Sequence, residues 1–313
     1  MRRLFVAAQK EPLRAALIEQ GRLQGYWRLH AGRGSLVGER YFGRVTAIDR
    51  GLDAAFVDLG LARDGFLPLP ECPTPPHEGR MVTVEVTRDP IADKGARLTA
   101  RLGEMVHIPA GTKPPRRLTE EAPLRRLLRR LGGELDVVAD TRRGADEFSV
   151  LASSLASVHG LSVEHRPERD WSPRLAEIEA EVAAALEPRC ELPSGAWLLF
   201  EPCRTLTVVD VNSGTAQGNA GERLWLKADL DAASEIARQL RLRHIGGIVV
   251  IDFIDLKAPS DRRRVSEALR QATAADWEPC WVGGMSRLGL VEMTRRRSGP
   301  TLAEMWSEGE EKP

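Results

Sequence analysis

Three side chains in the second half of the chain have the types and spacing to hold a divalent metal ion. Leu206-Thr-Val-Val-Asp210-Val-Asn212-Ser-Gly214 and Gly246-Gly-Ile-Val-Val-Ile-Asp252-Phe-Ile-Asp255 are short apolar runs that each end on an aspartate. Runs of β-branched and aliphatic residues closed by a charge read as buried strands whose carboxylates emerge at a sheet edge. If the two strands are neighbours, Asp210 and Asp252 lie side by side and can hold one divalent ion. Asn212, two residues beyond Asp210, shares its face and could orient a water on that ion. Hard oxygen ligands that leave room for water suit Mg²⁺, with Mn²⁺ as a substitute. Such an ion would lower the pKa of a bound water and act as a Lewis acid. An aspartate after a strand commonly does no more than start a turn. Asp255, before Leu256-Lys-Ala-Pro259, is read that way.

Between the strands, apolar residues spaced three to four apart from Leu226 to Leu240 predict one helix, with Gly246-Gly247 as its stop. Metal-free catalysis would call for a positioned general acid and base, usually histidines. His30, His77, His107, His159, His165 and His244 are scattered without a motif, which argues against it.

The strings that carry these residues also carry a resemblance. Asp210-Val-Asn-Ser-Gly, Glu235-Ile-Ala-Arg-Gln-Leu-Arg-Leu-Arg, Gly246-Gly-Ile-Val-Val-Ile-Asp-Phe-Ile-Asp and Ser286-Arg-Leu-Gly-Leu-Val-Glu-Met-Thr-Arg-Arg-Arg stand in the order and spacing of the catalytic domain of the ribonuclease E/G family. The resemblance implies an α/β (α+β mixed) chain. An RNase H-like α/β layer is interrupted by an S1-type OB-fold barrel and followed by a DNase I-like catalytic subdomain. It implies a metal-dependent endoribonuclease acting on single-stranded RNA in RNA processing or decay, with Asp210, Asn212 and Asp252 catalytic. A non-catalytic single-stranded RNA-binding protein on the same scaffold is the alternative.

The elements that must position these residues follow from pattern. Short strands at Leu4–Ala8, Leu13–Glu19 and Arg22–Leu29 (residues 1–34) are too few to close a core alone. Five more, at Tyr41–Ile48, Leu52–Asp58, Gly65–Pro68, Met81–Thr87 and Arg97–Ala100, predict a small barrel over residues 35–107. Gly43-Arg-Val-Thr, Ala54-Ala-Phe-Val-Asp-Leu-Gly, Asp64-Gly-Phe-Leu-Pro and Lys94-Gly-Ala-Arg-Leu-Thr are similar to an S1 domain. That likeness implies Phe56 and Phe66 as base-stacking rings and Lys94 as a phosphate contact, although a phenylalanine by itself is more often core. Residues 108–122, rich in proline and charge, read as a linker, and Arg116, Arg117, Arg125, Arg126, Arg129 and Arg130 make a dense basic cluster, the last four on an amphipathic helix beginning near Glu120, that could guide phosphate but is more commonly just a solvated helix face. Over 123–188 strands Leu135–Ala139 and Leu161–Glu164 alternate with helices Ala145–Ala156 and Pro173–Leu186, the latter capped by Ser172, which predicts the second half of the α/β layer. Residues 189–313 hold the metal strands, a helix Asp261–Trp277 capped by Ser260, and a closing segment whose Arg287, Arg295, Arg296 and Arg297 could neutralise phosphate. Arg287 and Arg295 are the RNA-binding candidates there.

Two departures from the family are expected to matter. Only the short linker stands where the family carries a 5′-monophosphate sensor, so cleavage should ignore the 5′ end. No cysteine pair follows Leu302, so no zinc, no zinc-linked oligomer and a monomer or weak dimer are expected. Cys72, Cys190, Cys203 and Cys280 form no C-x-x-C pair. Equal counts of 45 basic and 45 acidic residues exclude a global polyanion field, so an RNA site must be a local patch. No apolar run nears the ~18 residues of a membrane span, and the N-terminal apolar run is too short for a signal peptide. A cytoplasmic protein without membrane contact is expected.

Overall fold

The computed structural model describes residues 2–7, 13–29, 36–90, 94–102, 108–119, 123–153, 162–165, 168–214 and 222–307. The chain divides into two compact units, one made of residues 1–30 with 127–313 and the other of 31–126. It opens with β1 (Arg2–Ala7), β2 (Leu13–Glu19) and β3 (Arg22–Leu29). Gln20 and Gly21 both take positive φ in the β2–β3 turn, as a tight hairpin requires.

The second unit comes next, with β4 (Arg40–Asp49), β5 (Ala54–Asp58), β6 (Gly65–Pro68), β7 (Met81–Arg88), β8 (Arg97–Thr99) and β9 (Arg116–Arg117). Its sheet runs β5-β6-β8-β7-β4-β9, and a further β4–β5 pairing closes strands β4 to β8 into an OB-like barrel. Val45, Val57, Leu67, Val84, Val86 and Leu98 fill it. The stretch expected to be a plain linker in fact adds β9 to the barrel, through Tyr41↔Arg117 and Phe42↔Arg116. The reason is a buried carboxylate. Glu39 is 1% exposed and accepts from Arg117, from Arg126 Nη1 at 2.5 Å and from Tyr41 Oη at 3.0 Å. An unpaired charge at that depth would cost several kcal/mol, so the two arginines are structural.

The chain then runs through α1 (Pro123–Leu131), β10 (Asp136–Ala139), α2 (Arg142–Ser153), β11 (Ser162–His165) and α3 (Glu168–Leu186). β10 and β11 join the opening strands in a sheet of order β11-β10-β1-β2-β3, with β1, β10 and β11 parallel and β1 to β3 antiparallel. One α/β layer is thus built from both sides of the barrel insertion. α3 begins four residues before Ser172, so Ser172 is not its cap and Pro173 lies inside it.

The remaining elements are β12 (Arg189–Glu191), β13 (Trp197–Pro202), β14 (Leu206–Asn212), α4 (Glu222–Leu242), β15 (Gly247–Asp252), α5 (Pro259–Ala274), β16 (Cys280–Met285), β17 (Leu290–Arg295) and α6 (Leu302–Ser307). Their sheet runs β12-β13-β14-β15-β17-β16. α4 is the crossover between the parallel pair β14 and β15. Ala228, Ala232, Ile236 and Leu240 of α4, with Val265 and Leu269 of α5, pack on Val209, Val211, Val249 and Ile251. Each large aliphatic there contributes roughly 1.5–3 kcal/mol by burial.

α4 stops earlier than its glycines predict. His244 takes the left-handed conformation at φ 55°, and Ile245 N donates to Leu240 O (3.0 Å) and His244 N to Arg241 O (3.2 Å), the paired bonds of a Schellman end. α5 starts on Pro259, with Ala258 and not Ser260 at the cap. Proline's fixed φ and absent N–H replace a side-chain cap. No helix among the described residues is long and apolar enough to cross a membrane.

Candidate active site and nucleic-acid interface

Burial alternates along β14, with Thr207, Val209 and Val211 buried, and along β15, with Val249 and Ile251 buried. These side chains face the helices. By the period of two, Asp210, Asn212 and Asp252 point to the opposite face. The parallel register pairs Asp210 with Asp252 directly, which sets their backbones about 4.8 Å apart. Asp252 is exposed and Asp210 half-buried. Asn212 Nδ2 donates to Asp210 Oδ2 at 2.7 Å, which fixes that carboxylate's rotamer. Partial desolvation and the charge of Asp210 both push the Asp252 carboxyl above its ordinary pKa. Two carboxylates held this close repel, and a divalent cation between them relieves the repulsion. The donor set therefore fits a hard cation that keeps several waters. Among the described residues no group of three or more His, Cys, Asp or Glu gathers at a point.

The surrounding loops are held by groups that need no metal. Gly214, two residues after β14 and at φ 54°, would place a Cβ 2.1 Å from Gly195 O, so only glycine fits. Asp252 also pairs with Leu290, which brings the β16–β17 turn to the same end of the sheet. Ser286 Oγ accepts from Leu288 N (3.3 Å) and Leu290 N (3.2 Å) there, and Arg287 stands exposed on the turn. Asp255 is 81% exposed at its side chain and accepts from Arg262 at 2.8 Å, as a turn residue should.

Sequence reasoning missed Asp229 of α4. It is fully buried, its Oδ1 accepts from Ile254 N at 3.1 Å, and its Oδ2 has no partner. Burial pushes its pKa up to about 7 against the opposing pull of the Ile254 hydrogen bond. Its helical spacing from Ala232, Ala233 and Ile236, an apolar stripe interrupted by one acid, was the available signal.

One expected RNA contact is corrected. Arg295 is 4% exposed, with Nε and Nη2 on the Asp276 carboxylate at 2.9 and 3.0 Å and Nη1 on Ile245 O at 3.0 Å. Every arm of its fork is engaged inside the protein, so it is structural. Its neighbours also have internal partners, Arg296 on Glu278 and Arg297 on Gly246 O. The Glu235-Ile-Ala-Arg-Gln string is likewise a clamp. Glu235 accepts from Arg238 (2.6 Å), Gln239 (2.9 Å) and Arg22 (2.8 Å), while Arg238 Nη1 reaches Leu23 O at 2.7 Å on β3. Desolvation alone would raise the Glu235 carboxyl, but the Arg238 bonds and charge outweigh it and hold its pKa below the usual range. His244 is no acid–base group, since its Nε2 sits 2.7 Å from Tyr26 O and desolvation drives its pKa down to about 3.

On the barrel, Phe56 and Phe66 pair across β5 and β6 with ring centroids 6.0 Å apart, edge to face, and both stay half-exposed. They line a cavity of about 750 Å³ together with Lys94, Arg97, Arg88 and Leu52. Gly95 lets this segment close on Asp64, whose carbonyl oxygen would be 1.8 Å from a Cβ. Arg97, its guanidinium 5.9 Å from the Phe66 centroid, was not singled out from sequence because its place depends on the Phe66↔Arg97 pairing.

The fold and these two sites define a class: an α/β protein with an inserted OB-like barrel, whose last sheet presents a carboxylate pair. The Ribonuclease E/G family profile matches residues 80–298. The chain is similar to Ribonuclease G of Escherichia coli strain K12, at 28% identity over 394 aligned residues covering 96% of this chain and 80% of that protein. It is also similar to Ribonuclease E of Haemophilus influenzae, at 29% identity over 97% of this chain and 42% of that protein. Ribonuclease E of a Nostoc species is 43% identical over 154 residues, 48% of this chain and 22% of that protein. The chain belongs to the Ribonuclease E/G family.

Proposed function

We propose that this protein is a Mg²⁺-dependent endoribonuclease that hydrolyses single-stranded RNA to 5′-phosphate and 3′-hydroxyl ends, in RNA processing or decay. The observation that carries the reading is the direct register pairing of Asp210 with Asp252 at the C-terminal ends of two central strands, β14 and β15. Asp210 and Asp252 would hold the ion, and Mn²⁺ has the coordination chemistry to replace it. When bound, the ion acts as a Lewis acid on the phosphate and provides a nucleophilic oxygen at neutral pH. Asn212 keeps the Asp210 carboxylate in its binding rotamer. Arg287, on the turn beside Asp252, offers a cationic fork to phosphate oxygens. Phe56, Phe66 and Lys94 would take the flanking bases and backbone on the barrel.

Cleavage is proposed to be indifferent to the 5′ end. β8 ends at Thr99 and α1 starts at Pro123, with only β9 between them among the described residues, which leaves little chain for a sensing element. The alignment of 394 positions with Ribonuclease G against a chain of 313 residues supports a loss of sequence relative to that protein. The test is incubation of the purified chain with matched 5′-hydroxyl and 5′-monophosphate oligoribonucleotides, with and without chelator. Equal rates on both, abolished by chelator, are expected; a strong preference for the monophosphate would overturn the second half of the reading.

Phe56→Ala and Phe66→Ala are each expected to weaken single-stranded RNA binding about tenfold or more, from a stacking contribution of about 1–3 kcal/mol per base. Titration of labelled RNA alongside thermal melting separates this from core packing, which would lower the melting temperature and leave affinity unchanged.

A further inference from the structure

α5 presents one face that its core packing does not use. Val265 and Leu269 are buried in the subdomain core, while Ser260, Arg263, Glu267 and Arg270, spaced three to four apart, line a groove of about 1020 Å³ against Gly284 and Arg287. Gly284 has open space where a Cβ would sit, so the floor of the groove is bare backbone. Most of its charges are already paired. Arg262 lies on Asp255 (2.8 Å), Arg264 on Asp261 (3.1 Å) and Arg270 on Glu267 (2.5 Å). Arg263 and Arg287 are exposed and make no ion pair or hydrogen bond among the described residues, so both leave a full positive charge facing the groove.

One end of the groove is the Ser286–Gly289 turn. The groove reaches Ser286 and Arg287 of this turn, and a Cβ on Gly289, farther along the same turn, would lie 4.0 Å from Asp252 Oδ1. Its length along α5 from Arg263 to Gln271 is about 12 Å at 1.5 Å per residue. That is room for several phosphates at about 3.4 Å per stacked nucleotide. We infer that this groove is a second RNA track, which holds the backbone of the single strand on one side of the scissile phosphate through Arg263 and Arg287. The inference rests on the nuclease reading of Asp210 and Asp252 for its direction, but the groove's cations are an independent observation. A track that contacts phosphate and not base edges would raise affinity without imposing sequence preference.

The test uses the full chain with a fluorescein-labelled single-stranded 20-nucleotide RNA, titrated in chelator at several salt concentrations, and then cleavage kinetics in Mg²⁺. Arg263→Ala is expected to weaken binding about fivefold and to make the salt slope shallower by about 0.7, the loss of one phosphate contact on a single strand. Arg263→Lys should keep the slope, and Arg174→Ala, on α3 away from the groove, should change neither quantity. In cleavage, Arg263→Ala should raise KM about fivefold with kcat within twofold, the signature of lost uniform binding. An unchanged affinity and salt slope in a variant that melts like the parent overturns the track and leaves these cations to an acidic protein partner. Should the parent chain bind RNA but not cleave it, a shallower slope in Arg263→Ala still supports the track while the nuclease reading fails. Normal cleavage with an unchanged slope sinks the track alone.

Discussion

Asp210→Asn and Asp252→Asn are each expected to lower RNA cleavage at least about a thousandfold while leaving single-stranded RNA affinity within about twofold. A thousandfold is about 4 kcal/mol of barrier, and a cation that polarises phosphate accounts for several kcal/mol. Neither change should unfold the sheet. The neutral amide has the carboxylate's shape, so an Asn at 210 can still offer an oxygen to Asn212 Nδ2, which now sits 2.7 Å from Asp210 Oδ2. At 252 the change removes a repulsion between paired neighbours. Affinity should survive because the aromatic site belongs to the barrel strands β5 and β6. Single-turnover cleavage at rising Mg²⁺, with parallel RNA titrations, measures both quantities. If either variant cuts at the parent rate, the carboxylate pair does not hold the catalytic ion. Tight binding by the parent chain itself, without turnover at millimolar Mg²⁺ or Mn²⁺, would instead favour a non-catalytic RNA-binding protein.

What the sequence made legible was local alternation. Thr207, Val209 and Val211 against Asp210 and Asn212, and Val249 and Ile251 against Asp252, set the faces before any coordinates. The sequence left open whether the two runs are neighbours, and the parallel register settles it by pairing Asp210 with Asp252. The same rule, carried one strand further, would have prevented the misreading of Arg295. Val291, Met293 and Arg295 share a parity in β17, so the arginine had to enter the interior and find a counter-ion. Asp276, nineteen residues earlier, supplies it. Helix ends were less legible, because α5 starts on Pro259 and α4 stops at the left-handed His244, neither marked by the side chains that usually announce a cap. The partner of Glu39 lies 78 residues away on β9, and no local pattern marks a two-residue strand.

Asp229→Asn is expected to stabilise the protein at pH 8 by about 2–4 kcal/mol and to change little at pH 4. The Asp229 carboxyl has no exposure and one unpartnered oxygen, and burial lifts its pKa from 3.8 to about 7. The folded chain therefore holds this proton up to about pH 7, whereas the unfolded chain releases it near pH 4. Below that both states are protonated and the group is neutral in its effect. As pH rises from about 4 through about 7 only the folded state binds the proton, so stability falls, by a ceiling of about 4 kcal/mol at about 1.4 kcal/mol per pH unit. Asparagine carries no charge at any pH and keeps an acceptor for the Ile254 N–H, so the loss is removed. Urea midpoints from pH 4 to 8.5 compare the two slopes, and identical slopes would rule out Asp229 as the proton holder. Asp229→Ala separates charge from contact. It leaves the buried Ile254 N–H unpaired, a cost of about 1–3 kcal/mol, and it frees the loop two residues after Asp252. If that loop sets the spacing of the carboxylate pair, the alanine variant loses cleavage at every pH while the asparagine variant keeps it. Asp229 then acts through backbone position, one layer beneath the face where Asp210 and Asp252 meet.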